Sequence, residues 1–298
     1  MSNSVPAEKQ SLIKSLLKLM RPKQWVKNGF VVAPLIFAGG LLNIKLFTLA
    51  FCGAVLFSLA ASAVYIINDI VDREKDKKHP KKCRRPIASG AVSIKAAVIL
   101  LLALLITVFA ASIYLNILFA AVLGAYFCFN VLYSFVLKHI AIVDVISVAA
   151  MYVFRVVAGA VIINCSTISP WIIVCTFFLS VLIAVQKRKG EIASTGSGNA
   201  EGRSVLNNYT EPMLRDMSVT LGAVTITAYC LYTFQSETST YMILTIPFVI
   251  FGLMRYQMLT ASGSIGETPE EIAIKDKPML IDLTLWILFC ILIIYILG

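Results

Sequence analysis

LFTLAFCGAVLFSLAASAVYIINDIVDREKD, residues 46–76, passes from a purely apolar run into an ionic one without a turn-forming residue between them. Residues 46–67 carry no charged side chain. About 20 apolar residues in a helix cross the hydrocarbon layer of a bilayer. The stretch therefore predicts a membrane-spanning helix that ends in a carboxylate-bearing face. Asp69, Asp72 and Asp76 recur at i, i+3 and i+7, on one side of a helix. Asn68, four residues before Asp72, joins the edge of that face.

The rest of the chain repeats the apolar half of this pattern. Of 298 residues, 59% are hydrophobic and 14% charged, and the mean hydropathy is +0.85. A soluble domain carries about 25% charged residues. These values exclude a disordered chain, a soluble nucleic-acid binder and a disulfide scaffold. The seven cysteines show no CxxC spacing and most sit in apolar runs, so neither a zinc site nor a disulfide framework is expected. Nine apolar runs predict nine membrane-spanning helices, near 27–43, 46–67, 92–113, 116–137, 140–163, 170–186, 216–235, 240–257 and 279–297. Residues 1–24 form a polar, basic segment without the features of a cleaved signal, and residues 25–298 form one transmembrane domain. Within the first segment, Leu12 to Lys23 has helical spacing of apolar and Lys residues and predicts an amphipathic helix on the membrane surface.

The basic residues orient this bundle. Of the 26 Lys and Arg, 24 fall on the side of the N-terminus and of the long even-to-odd loops; Lys45 lies opposite and Arg155 within a span. The positive-inside rule places the N-terminus in the cytoplasm and the C-terminus outside. Much of the net charge of +10 is thus topological and needs no ligand.

What topology does not explain is the local alternation of sign in NDIVDREKDKKHPKKCRRPIASG, residues 68–90. Three carboxylates on one helix face repel each other unless a cation sits there. Oxygen donors and a membrane boundary suit Mg²⁺, which takes one or two carboxylates and bridges substrate phosphates. Lys81, Lys82, Arg84 and Arg85 follow, and Arg forks match phosphate oxygens. Acid followed by base predicts a Mg²⁺–diphosphate site. For Lys75, Lys77, Lys78 and Lys82 the positive-inside rule is sufficient.

A second polar region, Gln186-Lys187-Arg188-Lys189-Gly190-Glu191, places one carboxylate among three cations; it reads either as a lipid-touching basic cluster or as a second anion-binding wall. Arg203, Asn207, Tyr209 and Arg215 follow in a loop able to close over a substrate. Span five carries Arg155 with Tyr152 one turn before it, and a charge at that depth is a functional candidate, with a structural role for Arg155 as the competing reading. Asp144, near the end of the same span, is expected as a solvated boundary residue or a partner of Lys138. Lys27 and Asn28, opening span one, are further candidates to reach the site.

Asn68-Asp69-x-x-Asp72-x-x-x-Asp76 with Arg85-Pro86-Ile87-Ala88-Ser89-Gly90 resembles the first aspartate-rich motif of the UbiA superfamily of intramembrane prenyltransferases. The resemblance implies an all-α integral membrane fold, a bundle of nine transmembrane helices around a cavity open to the cytoplasm. A narrower resemblance is to the branch that uses phosphoribosyl diphosphate. It is carried by residues 21–28 (RPKQWVKN), Tyr152-Val153-Phe154-Arg155 with Ala158-Gly159, Lys187-Arg188-x-x-Glu191, and Pro269-Glu270-Glu271 with Asp276. Prenylating members usually carry a second DxxxD after span six, and this chain has none there. The implied reaction is Mg²⁺-dependent transfer of 5-phosphoribose to a polyprenyl phosphate at the plasma membrane, releasing diphosphate. The implied metal ligands are Asp69, Asp72 and Asp76, with Glu191 completing the catalytic set. Substrate binding falls to Lys27, Asn28, Asn68, Lys81, Arg85, Tyr152, Arg155, Lys187 and Arg188. A homo-oligomer is compatible with this reading, and a nucleic-acid partner is not expected. The alternatives are transfer of an isoprenoid from its diphosphate to an aromatic or lipid acceptor, and a transporter or lipid-binding membrane protein.

Overall fold

A computed structural model describes residues 12–78, 82–165, 169–195, 204–235, 240–261 and 275–297. Among them the chain is helical, without strands. In order come α1 (Leu12–Leu19), a 3₁₀ segment (Pro22–Val31), α2 (Ala33–Phe37), α3 (Ile44–Val71), α4 (Arg73–Lys78), α5 (Ile94–Leu115), α6 (Ile117–Phe135), α7 (Val143–Ile162), α8 (Pro170–Thr195), α9 (Glu211–Phe234), α10 (Ile246–Ala261) and α11 (Lys277–Leu292). Side-chain caps start several of them at the expected points. Asn43 Oδ1 accepts from the amides of Lys45 and Leu46, Asn116 Oδ1 from Leu118 and Phe119, and Ser93 Oγ from Ala96.

Eight described helices are long and apolar enough to cross a membrane. The expected first span, 27–43, is instead a ten-residue 3₁₀ segment followed by the five-residue α2, broken by Pro34 and by Gly39 at φ +69°. The packing explains it. Three residues per turn stack Trp25, Asn28 and Val31 in one row. That row runs along α3, where Trp25 Nε1 donates to Ser62 Oγ (3.1 Å) and Asn28 Nδ2 donates to Ser58 Oγ (2.9 Å). At the far end Val31 is fully buried against α7, where a Cβ on Gly159 would overlap the Val31 carbonyl oxygen. Only glycine permits so close a backbone approach.

α3 and α7 form the centre of the bundle: 61% of the apolar stretch of each is buried, against 17% for the last helix. One apolar core joins Val31, Leu35, Phe57, Ala60, Phe119, Leu123, Tyr126, Ala158 and Ile162 across the first segment, α2, α3, α6 and α7. A second core, of Leu19, Ala63, Ile66, Ile87, Val92 and Ala97, pins α1 and the loop after α4 onto α3. A third, with Val145, Val185, Val205, Tyr209 and Leu214, pins the segment before α9 onto α7 and α8. The 28 residues of α3 measure roughly 42 Å and the 26 of α8 roughly 39 Å, longer than the ~30 Å hydrocarbon layer. Their polar ends project past it.

Candidate active site

The end of α3 carries the first wall. Helical geometry continues almost unbroken past Val71: the Asp72 amide donates to the Asn68 carbonyl (2.9 Å) and the Asp76 amide to the Asp72 carbonyl (2.8 Å). Asp69 and Asp76, two turns apart, therefore face the same way, and both are buried. Arg85 joins them: its Nη1 lies 3.2 Å from Asp69 Oδ1 and 2.6 Å from Asp76 Oδ2. The loop holds Arg85 there because Ile87, two residues on, is buried in the α1–α3 core, and Gly90 at φ +79° turns the chain back toward α5.

Arg21 reaches the same carboxylate from the other side. Its Nη2 donates to Asp69 Oδ1, and its guanidinium lies 4.9 Å from the Tyr65 ring centroid. Its backbone is left-handed, φ 54°, a conformation that costs a non-glycine residue about 1–2 kcal/mol. Asp72 is turned off this wall toward the segment between α6 and α7, where Lys138 Nζ is 3.7 Å away. Asn68 is half-buried one turn before Asp72. Lys81 lies outside the described residues.

Among the described residues no three Asp, Glu, His or Cys side chains form a ready metal cage. The expected three-carboxylate face thus resolves into a pair, Asp69 and Asp76, with Asp72 at the edge. That pair still fits a hard divalent cation. One nitrogen position already touches an oxygen of each carboxylate, and Asp69 Oδ2 is buried with no hydrogen-bond partner among the described residues. Two carboxylates, with remaining positions filled by water and phosphate oxygen, is the usual Mg²⁺ donor set.

The second wall is on α8, which runs nine residues beyond the expected end of span six, so Lys187, Arg188 and Glu191 are helical. Arg188 is 2% exposed. Its Nε donates to Asp144 Oδ2 (2.7 Å) and its Nη1 to Glu191 Oε2 (2.6 Å). Asp144 is fully buried and is neither solvated nor paired with Lys138, contrary to expectation. The segment between α6 and α7 turns Lys138 toward Asp72 and Asp144 inward. Tyr209 closes this network. Its hydroxyl donates to Asp144 Oδ1 (2.6 Å) and accepts from the Ile142 amide (2.6 Å), whose residue is held at φ 69°. Burial and the neighbouring Asp144 carboxylate push the Tyr209 phenol up to about 12. Tyr209 is thus folded down onto α7 and α8, where a loop free to close over a substrate was expected. Arg215 is exposed beside Asp216, and Arg203 lies outside the described residues.

Arg155, Asn28 and Tyr152 meet in the bundle centre, chiefly as partners of one another. Arg155 Nε donates to Asn28 Oδ1 (2.9 Å), Nη1 to the Met151 carbonyl (2.6 Å) and Nη2 to Tyr126 Oη (3.2 Å). Its guanidinium lies 5.1–5.4 Å from the centroids of Phe57, Tyr126 and Tyr152. The contacts of Arg155 and Asn28 are framework ones, the competing reading for Arg155: an aromatic box that fastens the first segment to α7. Lys27, half-buried, lies one residue before Asn28 at the edge of this box. The Pro269-Glu270-Glu271 stretch lies outside the described residues. Asp276 caps α11 and receives both Arg255 Nε (3.1 Å) and Nη2 (2.8 Å), which hold its carboxyl below the usual range.

Sequence reasoning missed Arg21, Tyr126 and the Asp144–Tyr209 contact. Arg21 had a signal, since it opens the Arg21-Pro22 stretch beside the candidates Lys27 and Asn28. Tyr126 and Tyr209 had none, because their partners lie 29 and 65 residues away.

A family model described as the UbiA prenyltransferase family matches residues 29–195. A decaprenyl-phosphate phosphoribosyltransferase of Mycobacterium tuberculosis is 33% identical over 284 residues, covering 93% of each chain. One of Corynebacterium glutamicum is 30% identical, covering 96% of this chain and 89% of its own. Among solved structures, a UbiA homolog from Archaeoglobus fulgidus bound to DMAPP and Mg²⁺ superposes with a TM-score of 0.73 at 20% identity, over 95% of this chain and 99% of that one. This last likeness speaks to the fold.

Proposed function

Because the chain belongs to the UbiA prenyltransferase family and is a multi-pass membrane transferase, we propose that it moves 5-phosphoribose from phosphoribosyl diphosphate to a polyprenyl phosphate, releasing diphosphate. The observation that carries this reading is the pair of buried carboxylates, Asp69 and Asp76, bridged by Arg85 where α3 leaves the apolar layer. The relatives' name supplies the substrate class.

Asp69 and Asp76 would hold Mg²⁺, with Asp72 at the edge of the site. Bound there, the ion neutralises charge on the departing diphosphate. Arg21, Arg85 and Lys81 supply the remaining positive charge toward phosphate oxygens. Asn68, beside Asp69, would donate an amide hydrogen bond to the same group. Lys187 and Glu191 line the second wall; Lys187 suits a phosphate, and Glu191 suits ribose hydroxyls. Arg188 orients Glu191 through its Asp144 pair. The acceptor phosphate is already ionised at neutral pH, so no side chain needs to remove a proton. A single in-line displacement at the ribose C1 inverts that centre. In this reading the active site and N-terminus face the cytoplasm, and α1 lies on the membrane surface ahead of one transmembrane domain.

The direct test uses the purified protein in lipid with Mg²⁺, phosphoribosyl diphosphate and polyprenyl phosphate, scored for diphosphate and a new glycolipid. A parallel reaction offers a prenyl diphosphate and an aromatic acid. Glycolipid in the first reaction alone is the expected result. Product in the second alone would replace this reading with isoprenoid transfer, although the sequence after span six carries no second DxxxD.

A further inference from the structure

The two carboxylates of the first wall, and Asp72 at its edge, are each engaged by a cation: Asp69 by Arg21 and Arg85, Asp76 by Arg85, and Asp72 by Lys138. Asp69 and Asp76 are 2% and 4% exposed. A carboxylate so buried is strongly destabilising unless it is paired, so these cations are what lets the wall exist without a ligand. Yet the Arg85 nitrogen stands at the one position seen to touch both carboxylates. An ion that bridges Asp69 Oδ1 and Asp76 Oδ2 takes that place from Arg85.

We infer that Arg21 and Arg85 are exchangeable counter-ions, which oppose a divalent metal on its own and favour it once a diphosphate is present. The inference rests on the metal–diphosphate reading above. A metal arriving alone strips Arg85 of both carboxylates and leaves a partly buried guanidinium without a partner. It also competes with Arg21 for Asp69. A diphosphate offers both guanidiniums bidentate oxygen partners in exchange. Each ligand thereby removes the cost that opposes the other. Because the effect is a coupling of two binding equilibria, it is reciprocal: the metal tightens diphosphate by the factor by which diphosphate tightens the metal. The unpartnered Asp69 Oδ2 remains as an acceptor that neither arginine takes.

The experiment measures Mn²⁺ binding to the full chain in lipid nanodiscs by electron paramagnetic resonance of the free ion, with and without inorganic diphosphate. Wild-type protein is expected to bind Mn²⁺ weakly alone and at least about tenfold more tightly with diphosphate, within the usual range for coupled sites. R85Q and R21Q are expected to bind Mn²⁺ alone more tightly than wild type and to gain less from diphosphate. Should R85Q not fold, R21Q reads the same exchange at Asp69 with the Arg85 bridge intact. Equal Mn²⁺ affinity with and without diphosphate, or arginine variants that bind the lone metal no better, would overturn the exchange while leaving the metal site standing. No Mn²⁺ binding under any condition would remove both.

Discussion

Tyr209 shows how one hydroxyl can hold a wall of charge in place. It is donor to a fully buried Asp144 and acceptor for the amide of Ile142, a β-branched residue held at a positive φ of 69°. Such a φ is a true outlier for isoleucine and persists only where its surroundings impose it. Tyr209→Phe removes both contacts and is expected to destabilise the protein by about 1.5–3 kcal/mol, the range for a hydrogen bond to a charged group. The pH dependence has a definite sign. Folding raises the phenol from 10.0 to about 12. Its contribution is therefore complete below pH 10 and is lost as pH rises through about 12. The difference in melting temperature between wild type and Tyr209→Phe is expected to be constant from neutral pH to about 10 and to shrink above it. A difference that is absent at pH 7, or unchanged at pH 12, would rule out the latch.

At the scale of elements, the first segment decides how the bundle closes. Hydropathy marked 27–43 as apolar enough for a span, but hydropathy does not distinguish a 3.0-residue from a 3.6-residue repeat over so short a run. What sets the 3₁₀ geometry is a row of partners on α3, Ser62 and Ser58, met by Trp25 and Asn28. That match is a tertiary fact. The packing also makes Gly159 decisive. Gly159→Ala forces the Val31 backbone away from α7 and opens the Arg155–Asn28 box beside it. A loss of about 3 kcal/mol or more is expected, at the upper end for overpacking, read as a fall in detergent-solubilised melting temperature. Gly29→Ala, where an added Cβ meets nothing within 4 Å, serves as the control and is expected to melt close to wild type.

For the whole molecule, the multi-pass helical fold and the acid-then-base loop were both legible, for related reasons. Membrane spans need long apolar runs, and a helix end that binds a charged ligand must place its charges where those runs stop. The Asp69–Asp76 face could be read because its members are seven residues apart and helical hydrogen bonding runs on from α3 into α4. The sorting of the remaining candidates could not. Whether Arg155 or Arg188 serves a substrate or the framework depends on which side chains surround it, and those come from helices distant in sequence. Asp72 illustrates the limit even within one helix, since its orientation is set by Lys138 across the bundle. The most direct test of the first wall is glycolipid formation from phosphoribosyl diphosphate and polyprenyl phosphate, measured against Mg²⁺ concentration for wild type, Asp69→Asn and Asp76→Asn. Each variant is expected to lose about 10²–10³-fold in turnover, the scale of removing one preorganised electrostatic contact, with a shifted Mg²⁺ requirement. Wild-type turnover with wild-type Mg²⁺ dependence in both variants would contradict it.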